Sequence, residues 1–152
     1  MTSGLSVAIS DLPSIEGAAF GPSDWRVITQ EEVNDYARLS GDLNPIHIDP
    51  EFAATTTYGR TIVHGLLTLS LVVPLMKEIF EVTEVGLGIN YGSNRLRFPA
   101  PVPVGARVRV HGLVKSVTEV PGGFQLEVPV TFEVEGGEKP ALVTELVLRY
   151  YL

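Results

Sequence analysis

Cysteine is absent from this sequence of 152 residues. Its absence excludes disulfide bonds, thiolate nucleophiles and cysteine-ligated zinc or iron–sulfur sites, so any chemistry must use carboxylates, imidazoles, hydroxyls or backbone groups. Positive charge is also scarce, because 11 Lys and Arg residues stand against 18 Asp and Glu residues and give a net charge of −7. A chain this acidic is poorly suited to bind nucleic acid or an anionic membrane non-specifically. We therefore expect neither as a partner.

The sequence also lacks an apolar run long enough to cross a bilayer. Its most apolar segment, residues 64–80, is interrupted by Thr68, Ser70 and Pro74. The uninterrupted part is therefore shorter than the ~20 residues that a transmembrane helix needs. Apolar residues fall on nearly every side of the segment, which is typical of a helix surrounded by protein. We predict a long buried helix here, kinked near Pro74.

The length and the 45% apolar composition predict a single domain, residues 1–152, with enough chain for a hydrophobic core. Residues 1–23 are rich in Ser, Gly, Ala and Pro and show no sustained period. This composition predicts an irregular N-terminal arm. The arm does not have the basic and apolar regions of a signal peptide, so we expect a cytoplasmic protein.

Helix signals cluster in the first third of the chain. Thr29 and Glu32 form a capping box that predicts a helix through about Ser40, and Gly41 supplies its C-terminal cap. Asp49 followed by Pro50 predicts the cap and the first position of a further, short helix.

Strand signals dominate beyond residue 80, where Gly and Pro separate runs of β-forming residues. The predicted strands cover approximately residues 25–28, 85–90, 96–98, 107–120, 124–135 and 141–152. Pro121-Gly122-Gly123 and residues 135–138 are typical of hairpin connections, so the last strands are expected to be antiparallel. The sequence thus predicts an α+β fold with an antiparallel sheet wrapped around one long helix.

The segment Gly41-Asp42-Leu43-Asn44-Pro45-Ile46-His47 carries the strongest chemical signal. Pro45 biases its neighbour towards an extended conformation, and we expect it to keep the segment out of a helical turn. Asp42 and His47 could then turn inward from the two ends and hold one water between them, which is acid–base geometry. The sequence leaves open which of the two acts as the base and which as the acid.

Three stretches resemble the MaoC-like (R)-specific enoyl-CoA hydratases: Asp42 to Pro50, the His64-Gly65 pair, and Asn90 to Gly92 followed by Arg95 to Gly105. The resemblance runs from about Asp24 to the C-terminus. It implies the hot-dog fold and reversible addition of water to a trans-2-enoyl-CoA, giving an (R)-3-hydroxyacyl-CoA. It also implies a homodimer with sites near the subunit interface, an acyl-CoA as the substrate, and no cofactor or metal.

The resemblance assigns roles to individual residues, with Asp42 and His47 as the catalytic pair and Gly65 as the oxyanion contact. Hydration needs a base for the water, a proton for the α-carbon and hydrogen-bond donors for the enolate oxygen. The N–H of Gly65, in the first turn of the central helix, suits the third role. Asn44 is expected to brace the loop by hydrogen bonds, although Asn before Pro is also simply common in turns.

The scarce positive residues are candidates for binding the phosphates of CoA: Arg60, Arg95, Arg97 and Lys115. Each could equally be an exposed partner of a nearby Glu.

Val73 departs from the family pattern, since some members carry a serine there, eight residues after the motif glycine, that helps to orient the active-site loop. Thr68 or Ser70 could compensate. A helix hydroxyl in apolar surroundings, however, usually bonds back to the preceding turn.

Three other functions stay open. A thioesterase of the same fold would bind the same acyl thioester, but such enzymes commonly place a carboxylate on or beside the central helix, and residues 65–76 contain no Asp or Glu. A metal-binding module could use Asp42, His47, Asp49 and His64, although these residues lack a dedicated ligand spacing. We interpret His64 as a neutral helix-start histidine, because a charged imidazole is disfavoured at that end. A non-catalytic acyl-CoA-binding subunit would leave the Asp/His pair unused.

Overall fold

A seven-stranded antiparallel sheet forms the body of the computed structural model, which describes residues 4–152. The strands of this sheet are β2 (Ala19–Phe20), β3 (Arg26–Val27), β5 (Leu87–Arg97), β6 (Arg107–Leu113), β7 (Ser116–Val120), β8 (Gly123–Val134) and β9 (Leu142–Tyr151). Their order in the sheet is β2-β6-β8-β9-β5, with β3 also paired to β6 and β7 also paired to β8. Together with the helices that pack on it, the sheet confirms the predicted α+β hot-dog fold.

Strand β8 shows how the sheet builds the core. Every second residue of its central part is buried: Leu126, Val128, Val130 and Phe132. Successive side chains of a strand point to opposite faces, so this pattern directs one face of the sheet to the core. The two-residue turn Pro121-Gly122 pairs Val120 with Gly123 and confirms the predicted hairpin between β7 and β8.

Two strand predictions were wrong in their extent. Residues 85–90 and 96–98 do not form separate strands, because β5 pairs with β9 continuously from Leu87 to Arg97. Register shifts at Asn90/Gly92 and Asn94/Leu96 interrupt the alternation of β5 and hide its continuity in the sequence. Conversely, residues 107–120 form two strands, since β6 and β7 pair with different halves of β8.

The first predicted helix is confirmed. Helix α1 (Gln30–Ser40) begins with the capping box of Thr29 and Glu32, and Gly41 ends it in the left-handed conformation with φ of 80°. Two one-turn helices follow, α2 (Pro45–Ile48) and α3 (Pro50–Ala54). Asp49 caps α3 as predicted, accepting from the N–H groups of Glu51 and Phe52.

The central helix is shorter than predicted and broken in two. It consists of α4 (Gly65–Ser70) and α5 (Val72–Lys77), which pack on β9 and β6 respectively. Pro74 has no N–H to donate to the carbonyl of Ser70, which accounts for a break close to the predicted kink. The helix is also not surrounded on every side within one chain, because the side chains of Leu66 and Val73 are exposed. Among residues 4–152, no helix is long and apolar enough to span a membrane.

The N-terminal arm is more regular than predicted. Strand β1 (Leu5–Ala8) pairs in parallel with β4 (Phe80–Thr83), and a 3₁₀ helix follows at Ile9–Ile15. Ile9 and Leu12 are buried in the main core, so this part of the arm packs as an integral layer. Its elements are too short to give a detectable period in the sequence. Residues 1–3 of the expected arm lie outside the described residues.

Candidate active site

The segment between α1 and α3 presents His47 on a helical turn. Asn44 caps α2 by accepting the N–H of Ile46 at 3.2 Å, and Pro45 occupies the first helical position. The expectation that Pro45 excludes a helical turn was therefore wrong, because proline is well suited to the first position of a helix, where its missing N–H has no intrahelical role. The Oδ1 atom of Asp42 accepts the N–H of Asn44 at 3.3 Å and ties the two residues together.

The hydrogen bond of His47 fixes its tautomer. Its Nδ1 lies 2.7 Å from the carbonyl oxygen of Ile62, and a carbonyl can only accept, so Nδ1 carries a hydrogen. In the neutral ring, Nε2 then keeps a lone pair that can accept a proton. His47 is buried, with 8% of its surface exposed, so packing around the residue keeps the Nε2 lone pair in a fixed position.

Asp42, His47 and His64 meet at one point. One carboxylate oxygen of Asp42 and one ring nitrogen of each histidine lie within 4.8 Å of one another. Two hydrogen bonds of about 2.8 Å each span such a separation through a single water. Asp42 is exposed whereas both histidines are buried, so the cluster joins a solvent-accessible carboxylate to enclosed imidazoles. The structure thus brings together the acid–base pair that the sequence suggests.

His64 joins this cluster through contacts that the sequence does not reveal. Its ring stacks on that of His47 with centroids 3.8 Å apart, and its Nε2 lies 3.0 Å from the carbonyl oxygen of Asp42. Burial is the main cause that lowers the pKa of His64 from its ordinary value of 6.5; the hydrogen bond to the Asp42 backbone opposes this shift, and His47 adds to it. His64 is therefore a neutral imidazole near pH 7, for reasons of burial rather than of helix polarity alone.

Gly65 lies beside His47 in the same cleft. The cleft has a volume of about 310 Å³, and Thr68, Tyr58 and the segment 98–102 also line it. As the first residue of α4, Gly65 has an N–H without a partner inside that helix. A Cβ atom at this position would lie 2.9 Å from the ring of Phe98, so only glycine fits without displacing that ring. Because α4 has only six residues, its helix dipole is small, and the N–H of Gly65 itself is the feature that suits an oxyanion.

The positive residues do not converge on this cleft. Arg60 donates to the carbonyl of Val104 at 2.9 Å, and Arg97 donates to the carbonyl of Leu96 at 2.8 Å. Arg95 stands at the second register shift of β5 with φ of 52°. Among the residues that the structure describes, none of these three arginines lines the cleft.

Lys115 is held by acidic neighbours. It pairs with Glu127 at 3.2 Å and with Glu145 at 2.9 Å, which raises the pKa of Lys115 and lowers that of Glu145. This arrangement matches the alternative that we gave for each positive residue, an exposed partner of nearby Glu.

The hydroxyl groups of the central helix bond back to the preceding turn, as expected. Thr68 Oγ1 donates to the carbonyl of His64 at 3.3 Å, and Ser70 Oγ donates to that of Leu67 at 2.6 Å. The hydrogen of each hydroxyl is therefore already used within the helix, although Thr68 does line the cleft.

A metal ion fits the cluster poorly as it stands. Each histidine uses one ring nitrogen on a backbone carbonyl, and a ligated ion lies about 2 Å from the remaining nitrogen, close to the plane of each ring. The rings of His47 and His64 are stacked with an angle of 27° between their planes, so two such directions do not converge well. Asp49 takes no part, because its carboxylate caps α3. The geometry favours water over a cation here.

Sequence reasoning missed three features of the site: the carbonyl of Ile62 that orients His47, the ring of Tyr36 that packs 4.8 Å from that of His64, and the ring of Phe98 against Gly65. Each depends on packing between elements distant in the chain. Phe98 alone was within reach of sequence reasoning, since the region from Arg97 to Pro103 resembles a part of the family that shapes the site.

Comparison with known proteins places this site in context. Residues 11–135 match the family model described as the MaoC like domain. The 3-hydroxyacyl-thioester dehydratase Z of Mycobacterium tuberculosis is 48% identical over 144 residues, covering 94% of this chain and 95% of that protein. The (R)-specific enoyl-CoA hydratase of Aeromonas caviae is 42% identical over 88 residues, which is 58% of this chain and 63% of that protein.

The solved structures agree with the sequence matches. The (R)-hydratase from A. caviae involved in PHA biosynthesis superimposes with a TM-score of 0.72 at 32% identity, covering 88% of this chain and 94% of that one. The relatives named here are dehydratases and hydratases, so their names describe enzymes that remove or add water. The family-model match, together with these relatives, shows that the chain belongs to the MaoC-like dehydratase family.

Proposed function

We propose that this protein is an (R)-specific hydratase/dehydratase that adds water reversibly to a trans-2-enoyl-CoA and forms an (R)-3-hydroxyacyl-CoA. The observation that carries the proposal is the meeting of the Asp42 carboxylate and the His47 imidazole within 4.8 Å, with His47 and Gly65 lining one cleft. The names of the M. tuberculosis and A. caviae relatives support the reaction type.

The chemistry follows from the electronic structure of the substrate. The carbonyl oxygen of an enoyl thioester accepts charge as an enolate when water attacks the β-carbon. Asp42 and His47 hold that water, and the pair takes one of its protons while the oxygen bonds to the β-carbon. A proton from the pair then reaches the α-carbon, so that H and OH add to the same face of the double bond. Either residue can start as the base, and the other then supplies the proton to the α-carbon.

The enolate oxygen needs a donor that is already in place. The N–H of Gly65 supplies it, and the absence of a side chain lets the ring of Phe98 pack directly against this residue at the wall of the cleft. Asn44 holds the turn that carries His47, because its side chain caps α2. Acyl-CoA is the substrate class that we propose, with Arg60, Arg95 or Arg97 contacting the CoA phosphates from outside the cleft.

A homodimer completes the proposal. Among residues 4–152, β9 is the only strand that pairs with β5, and nearly all residues of β5 are exposed. Its exposed apolar residues and those of the neighbouring helix form a surface that one chain leaves uncovered: Leu66, Val73, Leu87, Ile89 and Tyr91. Exposed strand edges and large apolar patches are normally covered in native proteins, and a second copy would cover this one.

Direct assay separates this function from the thioesterase alternative. Purified protein is mixed with crotonyl-CoA and longer trans-2-enoyl-CoAs while the enoyl-thioester absorbance and free CoA thiol are followed together. Loss of absorbance without thiol release, with (R)-3-hydroxyacyl-CoA as the product, is the expected result. Thiol release at the same rate as absorbance loss would instead identify a thioesterase, which the lack of Asp and Glu on α4 and α5 disfavours.

A further inference from the structure

His64 touches both members of the proposed acid–base pair. It contacts His47 on α2 by ring stacking at 3.8 Å and the main chain of Asp42 by the hydrogen bond at 3.0 Å. The ring of Tyr36 on α1 packs against it at 4.8 Å with a tilt of 58°. His64 is also the N-cap residue of α4, directly before Gly65, although its side chain makes no cap hydrogen bond there. One buried side chain therefore contacts both the main chain that carries the Asp42 carboxylate and the imidazole of His47.

The hydrogen bonding of His64 excludes it as a second acid–base group. The carbonyl of Asp42 can only accept, so Nε2 of His64 carries a hydrogen that is already committed to this contact. Its Nδ1 is buried and has no hydrogen-bond partner among residues 4–152. Protonation of Nδ1 would add a buried N–H without an acceptor, which is costly. The ring thus stays neutral and acts through its neighbours.

The main chain of Asp42 depends on this contact. Asp42 lies in the short non-helical link between α1 and α2, where Ser40 Oγ accepts its N–H at 3.2 Å and His64 holds its carbonyl. Loss of the second anchor would free the peptide plane to rotate and would move the carboxylate relative to His47. A displacement of about 1 Å in a catalytic group can lower a rate by about 10²-fold.

We propose that His64 is a positioning residue for the hydration reaction, in which its Nε2–H holds the Asp42 main chain and its ring holds the His47 imidazole. This inference rests on the proposed function. The groups that face His64 are Asp42 from the link, His47 from α2 and Tyr36 from α1. None of these groups accepts a hydrogen bond from Nδ1. The site therefore suits a side chain that is uncharged, donates one hydrogen bond and has a flat ring face.

Two substitutions separate the two contacts. In His64→Gln, the amide nitrogen lies at about the distance of Nε2 along the side chain and keeps the donor, whereas His64→Phe keeps the ring face and loses the donor. We expect His64→Phe to lower kcat for crotonyl-CoA by about 10- to 100-fold with KM within about threefold, because geometry rather than binding is lost. We expect His64→Gln to recover kcat to within about fivefold of the wild type.

The exposed histidine of β6 supplies the matched control. His111→Gln removes a half-exposed imidazole, paired with Glu133 at 3.3 Å, from a position outside the lining of the cleft, and should leave kcat unchanged. Thermal unfolding of every variant corrects kcat for the folded fraction. The proposal is overturned if folded His64→Phe keeps the wild-type kcat, or if His64→Gln loses as much kcat as His64→Phe does.

A measurement that needs no activity keeps this inference distinct from the proposed function. Imidazole ¹⁵N spectra of the wild type should show His64 with its hydrogen on Nε2 and His47 with its hydrogen on Nδ1. Exchange of the Asn44 amide hydrogen, which is bonded to Asp42 Oδ1, should accelerate in His64→Phe and return towards the wild-type rate in His64→Gln. A wild type without hydratase activity would defeat the proposed function, and unchanged Asn44 exchange in His64→Phe would defeat the positioning role.

Discussion

Two buried imidazoles and one exposed carboxylate lie within a few ångströms of one another, and hydrogen bonds to backbone carbonyls fix the tautomer of each ring. The carbonyl of Ile62 accepts the Nδ1–H of His47, which leaves Nε2 of His47 as an acceptor. The carbonyl of Asp42 accepts the Nε2–H of His64. In the proposed mechanism, the same residue type therefore has two roles at one site, because His47 exchanges a proton whereas His64 remains neutral.

Burial of His64 makes stability depend on pH in a defined direction. The pKa of His64 in the folded protein lies below the value of 6.5 that it has when unfolded. At pH values between these two pKa values, the unfolded chain therefore binds more protons than the folded chain. Unfolding free energy should therefore fall as the pH drops below about 6.5, down to the folded-state pKa. Denaturant unfolding of wild type and His64→Gln between pH 7.5 and about 5 measures this. A slope that is the same in both proteins would contradict it. The lowered pKa of Glu145 acts in a separate window, below its ordinary value of 4.5.

Gly65 gives a second test at the residue scale. Gly65→Ala keeps the N–H but places a methyl group against Phe98, which must move into the cleft wall. We expect kcat/KM to fall by about tenfold or more, the scale of losing part of an oxyanion contact. Gly4→Ala, outside β5 and the lining of the cleft, is the control, because nothing lies within 4 Å of a Cβ there. Equal kinetics for the two alanine variants would show that the packing of Phe98 against Gly65 does not affect how the substrate binds or reacts.

At the scale of elements, two successive one-turn helices have the same construction and different roles. Asn44 caps α2 and Asp49 caps α3, each with proline at the first helical position. Only α2 carries a residue of the proposed acid–base pair. The sequence allowed the cap of α3 to be predicted, but it did not show that Pro45 begins a helix, because the same proline also fits an extended loop.

The two caps form a matched pair of substitutions. Asn44→Ala and Asp49→Ala should each lower the unfolding free energy by about 1 kcal/mol, the usual contribution of a helix N-cap. We expect only Asn44→Ala to lower kcat, because only α2 orients His47. Chemical denaturation and steady-state kinetics on both variants check this. A similar loss of kcat in Asp49→Ala would mean that the effect is general loosening.

Other elements explain where sequence reasoning stops. The capping box of α1, the left-handed Gly41 and the hairpin after β7 depend on local signals, and all were predicted correctly. The extent of β5 depends on its pairing with β9 across two register shifts, and β4, which begins at Phe80 after the central helix, pairs with β1 from the N-terminal arm. Such long-range pairings leave no local pattern. The stacking of His47 on His64 is of the same kind, as its partners come from separate elements.

At the scale of the whole molecule, the uncovered surface on β5 and the central helix predicts assembly. We expect light scattering to give twice the chain mass of 16.4 kDa. Ile89→Lys places a charge within the exposed apolar surface of the edge strand and should shift the protein to the monomer. Leu39→Lys, at a side chain on α1 that is 87% exposed, should leave the mass unchanged. A monomeric wild type would contradict the proposed homodimer.

The most direct test of the central claim is the kcat of Asp42→Asn, His47→Asn and the double variant on a trans-2-enoyl-CoA, with folding verified for each. Asp42→Asn is nearly isosteric and His47→Asn introduces a smaller side chain, and each removes one acid–base group. We predict that each single variant loses about 10²- to 10⁴-fold in kcat and that the double variant is scarcely worse, because the two groups act on one water as a unit. A folded single variant that keeps the kcat of the wild type would contradict the proposed role of the Asp42/His47 pair.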